Sequence, residues 1–126
     1  MKINDSRMIT EKIIWFATVK PTGLPHLVPV WFLYKDELIY IFTPCKSVKA
    51  KNLDKSPGVA ISLETGSNPL VLEGTANFIK VPYPQLIIEQ YKTKYPMSDV
   101  TENGMTFRGN IYNCLLEIEP KKIVMG

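Results

Sequence analysis

The sequence predicts a mainly β, α+β domain built on an antiparallel barrel, and three observations support this fold class. Runs of β-branched and aromatic residues recur along the 126 residues, and they read as about six strands. Short polar or Pro/Gly segments separate most of these runs, which is typical of hairpin connections. One longer segment instead spaces its apolar residues as a helix does. Sequential strands with short connections favour an antiparallel barrel, although the order of elements alone does not say which barrel.

The first half of the chain predicts a short helix followed by three strands. Pro29 cannot donate to a strand ladder, so it marks an edge, a bulge or a place where the sheet opens. Pro44 ends the third strand, and Ser47 can then cap a short helix with its side-chain oxygen. The predicted elements are an amphipathic helix at 6–12, strands at 13–19, 26–34 and 38–43, and a helix from 47 to about 55.

The second half predicts three further strands and the main helix. Gly74 lies inside a longer strand and suggests a bend or bulge there. Residues 98–109 are predicted to form a polar loop. The predicted strands cover 59–64, 70–79 and 111–118, with a short strand at 123–125, and the main helix covers 84–95.

Composition limits the functional classes. The length suits one hydrophobic core, so we expect a single domain over residues 1–126. The net charge of +3 suits an anionic ligand but is too small for a typical nucleic-acid binder. The chain has no apolar run long enough to cross a membrane, and its start lacks the core of a secretory signal. Cys45 and Cys114 are far apart, so we expect two reduced thiols in a cytoplasmic protein.

The segment TPCKSVKAKNL, residues 43–53, has the chemistry of a helix start that could hold a phosphate. Backbone N–H groups at a helix N-terminus are unpaired and lie at the positive end of the helix dipole. Ser47 can add a hydroxyl and Lys46 or Lys49 an ammonium, while Asn52 can reach the same face one turn later. The alternative is a solvated lysine-rich surface helix, which is common.

The segment from Val28 to Trp31 could form the wall of a site for a flat ligand. Such a ligand needs apolar surface and a few backbone groups freed from the ladder, and a strand interrupted by proline supplies both. The alternative is an ordinary core strand in which Trp31 packs inward. The other large aromatic residues are predicted to lie in the core: Trp15, Phe16, Phe32 and Phe42.

The chain offers no side-chain set for demanding chemistry. His26 is the only histidine, so neither a histidine metal site nor a serine–histidine–aspartate triad can be argued. The acidic residues are scattered, and no carboxylate pair suggests acid–base catalysis. We therefore predict no catalytic side chain and no metal site. If the protein is an enzyme, a cofactor carries the reaction and the protein binds and orients it.

The ordered series of motifs resembles the pyridoxamine 5′-phosphate oxidase-like superfamily of flavin-binding split barrels, and within it the small single-domain members. The resemblance covers nearly the whole chain, and the order of the motifs carries it more than any single motif. The matching motifs are Ala17-Thr18-Val19, Gly23-x-Pro25-His26-x-Val28-Pro29-Val30-Trp31, Phe42-Thr43, Ser47-x-Lys49-x-x-Asn52-Leu53, Leu72-Glu73-Gly74-x-Ala76 and Leu116-x-Ile118-x-Pro120-x-x-Ile123.

The resemblance implies a six-stranded split barrel and a homodimer with cofactor sites at the subunit interface. It implies FMN as cofactor, and some relatives use the deazaflavin coenzyme F420 instead. The implied residues along the flavin ring are Val28, Pro29, Val30 and Trp31, and those near the phosphate are Thr43, Ser47, Lys49 and Asn52.

The sequence also departs from the vitamin B6 oxidases of that superfamily. Their phosphate-binding arginine on the second strand is replaced by His26-Leu27-Val28, and their C-terminal substrate segment has no counterpart before Gly126. Vitamin B6 oxidation is therefore not expected. The leading hypothesis is an FMN-dependent oxidoreductase or electron carrier with a small-molecule acceptor. The alternatives are a deazaflavin-dependent reductase, a non-catalytic flavin or haem binder, and a protein-interaction module.

Overall fold

The computed structural model describes residues 1–126 and consists mainly of antiparallel strands. Its helices are α1 (Arg7–Thr10), α2 (Val48–Lys55) and α3 (Gln85–Lys94). Its strands are β1 (Ile14–Val19), β2 (Pro25–Val30), β3 (Leu33–Lys35), β4 (Leu38–Thr43), β5 (Gly58–Leu63), β6 (Val71–Ile79), β7 (Asp99–Thr101), β8 (Gly104–Phe107), β9 (Asn110–Tyr112) and β10 (Cys114–Met125).

Seven strands form one antiparallel sheet in the order β2-β1-β5-β6-β10-β4-β3. The strands at its two edges, β2 and β3, follow each other in the chain and are joined only by Trp31 and Phe32. The sheet therefore curls round until its edges approach without pairing, as a split barrel requires. The predicted single strand at 26–34 is consequently two strands. Pro29 lies on the edge strand β2, which is one of the positions predicted for it, and the sheet opens just after Val30.

The strand pattern confirms the fold class, but the strand count differs from the prediction of six. Residues 98–109, predicted as a polar loop, form most of a second sheet of three short strands, β7-β8-β9. The strand predicted at 111–118 begins in β9, and its remainder joins the short strand predicted at 123–125 in one continuous strand, β10. This strand keeps pairing with β6 through two register irregularities. Gly74 lies opposite Pro120 at the first of these, and a side chain at Gly74 would collide with the Glu119 carbonyl oxygen. The glycine thus permits the close approach of the two strands.

Two apolar clusters fill the structure. The larger lies inside the curled sheet and includes Phe16 and Phe32, both fully buried. The smaller packs α3 against β4 and includes Phe42. These three placements confirm the predicted core, but Trp15 is 37% exposed, which contradicts its predicted burial. The strand alternates, so Trp15 points outward between two inward residues.

The cysteine prediction is wrong. Cys45 and Cys114 form a disulfide, with Cα atoms 5.0 Å apart and a sequence separation of 69. The fold makes this pairing possible because Cys114 lies opposite Thr43 in the β4–β10 ladder, two residues before Cys45. The large sequence separation gave no hint of that proximity.

None of the helices combines the length and the hydrophobicity that crossing a membrane requires.

Candidate functional site

A cleft of about 400 Å³ opens where the main sheet splits, and most of its lining is apolar. This volume lies within the range of roughly 300–1,000 Å³ that is typical of small-molecule sites. Its walls come from the end of β2, the end of β4, the start of α2 and the small β7–β9 sheet. The lining residues are Ile13, Pro29, Val30, Trp31, Phe42, Pro44, Lys49, Met105, Phe107 and Tyr112.

Trp31 forms one wall of the cleft, and its ring is held from two sides. It stacks on Tyr95, with ring centroids 4.5 Å apart and planes inclined by 5°. The ring of Phe107 contacts it at 4.8 Å and a tilt of 52°. Offset and tilted aromatic pairs of this kind are favourable and directional. The indole is therefore fixed in orientation without a hydrogen bond.

The hydroxyl of Tyr95 fixes the backbone beside Trp31. It accepts the Phe32 N–H at 2.9 Å and lies 2.7 Å from the Lys12 carbonyl oxygen, to which it donates. Phe32 lies between the two edge strands, where the sheet opens, and Lys12 lies just before β1. Burial raises the pKa of Tyr95 above its ordinary value, so the hydroxyl stays protonated and able to donate.

The backbone at Pro29 and Val30 lies at the edge of the sheet. Strand β2 pairs with β1 on one side only, so the backbone groups along its other side have no ladder partner. Pro29 is exposed and Val30 is buried, as expected for neighbours on an alternating strand. A flat ligand in the cleft would meet apolar side chains together with free backbone acceptors and donors.

Lys49 supplies the cationic end of the cleft. It lies in the first turn of α2 and is half-buried, and this burial lowers the pKa of its ammonium group. The structure contains three ion pairs and Lys49 belongs to none of them. The first N–H groups of the helix have no carbonyl partner within it, and they lie at the positive end of its dipole. This end of the cleft therefore suits an anion.

Of the eight residues predicted to bind the cofactor, the structure brings Pro29, Val30, Trp31 and Lys49 together around one cleft. The other four predicted site residues do not line it. Val28 is half-buried against the core inside the main sheet. The three remaining residues, Thr43, Ser47 and Asn52, make structural contacts behind the helix start.

Those contacts build the helix start itself. Ser47 caps α2, as predicted, by accepting the Ala50 N–H at 3.3 Å. Its hydroxyl also lies 3.1 Å from that of Thr43, which is fully buried. Asn52 is 2% exposed and donates from Nδ2 to the Thr18 hydroxyl at 3.0 Å, which ties α2 to β1. Their observed role is to set the position of the helix beside the cleft.

Sequence reasoning missed six of the cleft residues, and three of these lie in or beside the segment predicted as a loop: Met105, Phe107 and Tyr112. That segment nevertheless carried local signals for turns and a strand. Asn103-Gly104 is a strong hairpin dipeptide, and Arg108 and Gly109 both adopt positive φ at the next turn. Met105 and Phe107 alternate between these turns as strand residues do. His26 lies opposite Thr18 on β2 and away from the cleft lining, and no cluster of acidic, histidine or cysteine residues could hold a metal ion.

Comparison with known proteins agrees with this geometry. A family model described as pyridoxamine 5′-phosphate oxidase matches residues 6–124. The chain belongs to this family. The match confirms the resemblance seen in the sequence, and it includes every element from α1 to β10. No curated protein sequence matches the chain.

Solved structures share the fold of this pyridoxamine 5′-phosphate oxidase family member at low sequence identity. An F420 reductase is 20% identical, with a TM-score of 0.66, and the match covers 98% of each chain. HupZ from Group A Streptococcus is 16% identical, with a TM-score of 0.68, and covers 98% of this chain and 92% of its own. The haem storage protein HutZ from Vibrio cholerae is 16% identical, with a TM-score of 0.63, and the match covers 88% of this chain and 82% of HutZ.

Proposed function

We propose that this protein is a flavoprotein that binds FMN without a covalent bond and acts as an oxidoreductase or electron carrier. One observation carries the proposal: the lining of a single cleft combines apolar and aromatic side chains with a half-buried lysine that lies at a helix start and forms no ion pair. A phosphorylated planar cofactor has the same two parts. Membership of the pyridoxamine 5′-phosphate oxidase family supports this proposal.

The ring of the cofactor would lie along the edge strand at Pro29 and Val30, beside the indole of Trp31. The free side of this strand offers backbone hydrogen-bonding groups, and the Trp31–Tyr95 stack keeps the aromatic wall in place. Because both features are present before any ligand binds, little ordering would be needed on binding.

The phosphate of the cofactor would bind at Lys49 and the first N–H groups of α2. A half-buried ammonium group without a carboxylate partner is unfavourable by itself, as its lowered pKa indicates. A phosphate would offset that cost and raise the pKa again. Thr43, Ser47 and Asn52 would contribute by holding the helix start in position rather than by lining the cleft.

When bound, FMN would supply hydride and electron transfer to a small acceptor. The chain itself would bind and orient the cofactor and limit access of water through the aromatic wall. None of the ten lining residues is an acid or a histidine, so the proposal assigns no catalytic side chain. Vitamin B6 oxidation is not part of the proposal, because β2 carries His26-Leu27-Val28 in place of the arginine expected for it.

We further propose a homodimer that completes the cleft. The outward face of β1 and β2 carries no charged side chain: it consists of Trp15, Ala17, Val19, Pro25, Leu27 and Pro29. Leu27 is 60% exposed there. Exposed apolar faces of this kind typically mark interfaces. Pro29 belongs both to this face and to the cleft lining, so a second copy on the face would lie at the edge of the cleft.

The deazaflavin coenzyme is the main alternative, supported by the fold shared with an F420 reductase over 98% of both chains. Haem is a weaker alternative, supported by the fold shared with the haem storage protein HutZ. The only histidine does not line the cleft, so the cleft residues that could hold haem iron would be Met105, Tyr112 or Lys49.

The first experiment identifies the cofactor by absorbance and mass spectrometry of the purified protein. FMN would give a yellow protein with a flavin spectrum, whereas the deazaflavin absorbs at shorter wavelength and haem gives a Soret band. Added FMN should also raise the melting temperature, because a ligand that binds only the folded state stabilises it. A colourless protein whose melting temperature responds to neither flavin would refute the proposal.

The second experiment tests the phosphate end with Lys49→Ala, using Lys51→Ala on the exposed side of the same helix as control. Loss of a charged hydrogen-bonding group should weaken FMN binding by roughly 10- to 100-fold. Riboflavin, which lacks the phosphate, should bind both variants as it binds the wild type. Equal losses for FMN and riboflavin would remove Lys49 from its proposed role.

A further inference from the structure

A second pocket of about 360 Å³ lies between α1, β3 and the end of α3. It shares no residue with the cleft described above. Its apolar lining residues include Met8, Ile9 and Leu33, and two lysines, Lys12 and Lys94, line it as well. The lining thus combines aliphatic side chains with two lysines, and it includes no acidic side chain.

Lys94 is the unusual member of this pocket. Its Nζ atom is buried and makes no hydrogen bond with the chain, and it lies 3.6 Å from the ring centroid of Phe32. Desolvation, with a smaller effect of Lys12, lowers the pKa of Lys94 to about 8. A cation–π contact offsets part of the desolvation cost of such a group but leaves its N–H donors unused.

The groups around Lys94 leave ammonium N–H donors without acceptors, and they carry a net positive charge of about one. Lys12 donates a single hydrogen bond, to the Lys94 carbonyl at 2.7 Å. Neither lysine forms an ion pair, and Glu11 is the acidic group that acts on Lys94 from nearby. Two cations and one acid leave one uncompensated positive charge. The Tyr34 hydroxyl, which accepts the Ile3 N–H at 3.0 Å, still has its own proton to donate.

We propose that this pocket binds a small aliphatic monocarboxylate, with the carboxylate at Lys94 and Lys12 and the alkyl chain against Met8, Ile9 and Leu33. A monoanion matches the single uncompensated charge, and an aliphatic body matches the aliphatic part of the lining. The proposal is independent of the cofactor proposed for the cleft.

The test is a titration of the full-length protein with hexanoate, followed by two-dimensional NMR. We expect shifts confined to residues 8–12, 33–34 and 90–94. Lys94→Met keeps the apolar stem and removes the charge, and it should weaken hexanoate binding by about tenfold or more. Lys92→Met, on an exposed position of the same helix, should bind as the wild type does. Circular dichroism establishes that each variant is folded, and Lys12→Met provides a second, independent loss of charge.

Three further measurements can overturn the proposal. Equal binding of 1-hexanol would show an apolar groove without anion recognition. Binding of inorganic phosphate as tight as that of hexanoate would show a simple anion site. Shifts outside the pocket, or equal losses in Lys92→Met and Lys94→Met, would place hexanoate elsewhere.

The pH dependence gives a separate signature. The groups around Lys94 are Lys12, Glu11, the Tyr34 hydroxyl and the rings of Phe32 and Tyr95. Because only the charged ammonium attracts a carboxylate, hexanoate affinity should fall as pH rises through about 8 in the wild type. The Lys94→Met variant should lack this fall, and a fall that persists in it would contradict the assignment.

Discussion

Trp31 and Tyr95 stack face to face, with 4.5 Å between their ring centroids, at the point where the main sheet splits. One ring lines the candidate cleft, and the hydroxyl of the other satisfies the backbone of Phe32. The pair thus joins the end of α3 to the gap between the two edge strands. Removing either part should affect both stability and the shape of the cleft.

We expect Tyr95→Phe to lower the free energy of unfolding by about 1–3 kcal/mol, because it leaves a buried N–H and a carbonyl without partners. The stacked ring is retained, so the effect isolates the hydroxyl. Urea unfolding measures it. Tyr112→Phe is the matched control, since that cleft hydroxyl makes no hydrogen bond in the structure and its loss should change little. Similar losses in the two variants would contradict the role given to Tyr95.

Asn52→Ala should destabilise the fold without weakening the cleft's affinity for FMN. The Asn52 amide is buried against the Thr18 hydroxyl, and its loss should cost about 1–3 kcal/mol. FMN titrations at a temperature where the variant is folded should give the wild-type dissociation constant. A loss of affinity as large as that of Lys49→Ala would instead show that Asn52 contacts the cofactor.

Removal of the disulfide, by Cys45→Ser with Cys114→Ser, should lower the free energy of unfolding by about 2–4 kcal/mol, since the bond closes a long loop of the unfolded chain. The disulfide also tethers the segment before α2 to β10, so FMN affinity should fall with it. Thiol labelling of the denatured, unreduced protein counts the free cysteines, so protein that carries the disulfide should take up no label. Full labelling of both in protein taken directly from cells would favour the reduced, cytoplasmic state expected from the sequence.

Lys94→Met should stabilise the protein at pH 7, and the gain should shrink as pH rises. The folded-state pKa of Lys94, about 8, is lower than its ordinary value of 10.5, so the charged form is disfavoured in the folded state. Between these two values the unfolded state binds more protons, and wild-type stability therefore increases with pH relative to the variant. Thermal unfolding at pH 7, 8, 9 and 10 follows the difference. A constant difference would mean that the ammonium charge has no role.

Leu27→Glu should separate the proposed homodimer into monomers, because it places a charge in the centre of the apolar face of β1 and β2. Leu86→Glu on α3 is the matched control, since Leu27 and Leu86 are both 60% exposed. Light scattering during gel filtration gives the molar mass of the wild type and of each variant. A wild-type monomer, or dissociation in both variants, would argue against this face as the interface.

The type and order of most elements follow from the amino-acid sequence, since these depend on local patterns. The Ser47 cap, the α3 helix and the irregularity at Gly74 all follow from nearby residues and were predicted correctly. The small β7–β9 sheet was missed although its turn dipeptides are local, because the polar residues around it concealed its short alternation. The family resemblance also came from the order of local motifs, and the family match confirms it.

The set of residues that share the cleft depends instead on how the strands pair and close in three dimensions. Lys49 and Trp31 meet there because the sheet curls until β2 and β3 become neighbouring edges, whereas Asn52 turns inward to Thr18 on the next face of the same helix. The Cys45–Cys114 bond and the lone Lys94 ammonium over Phe32 likewise join positions 69 and 62 residues apart. Local patterns carry no information about such distances, because strand pairing and closure of the sheet set them.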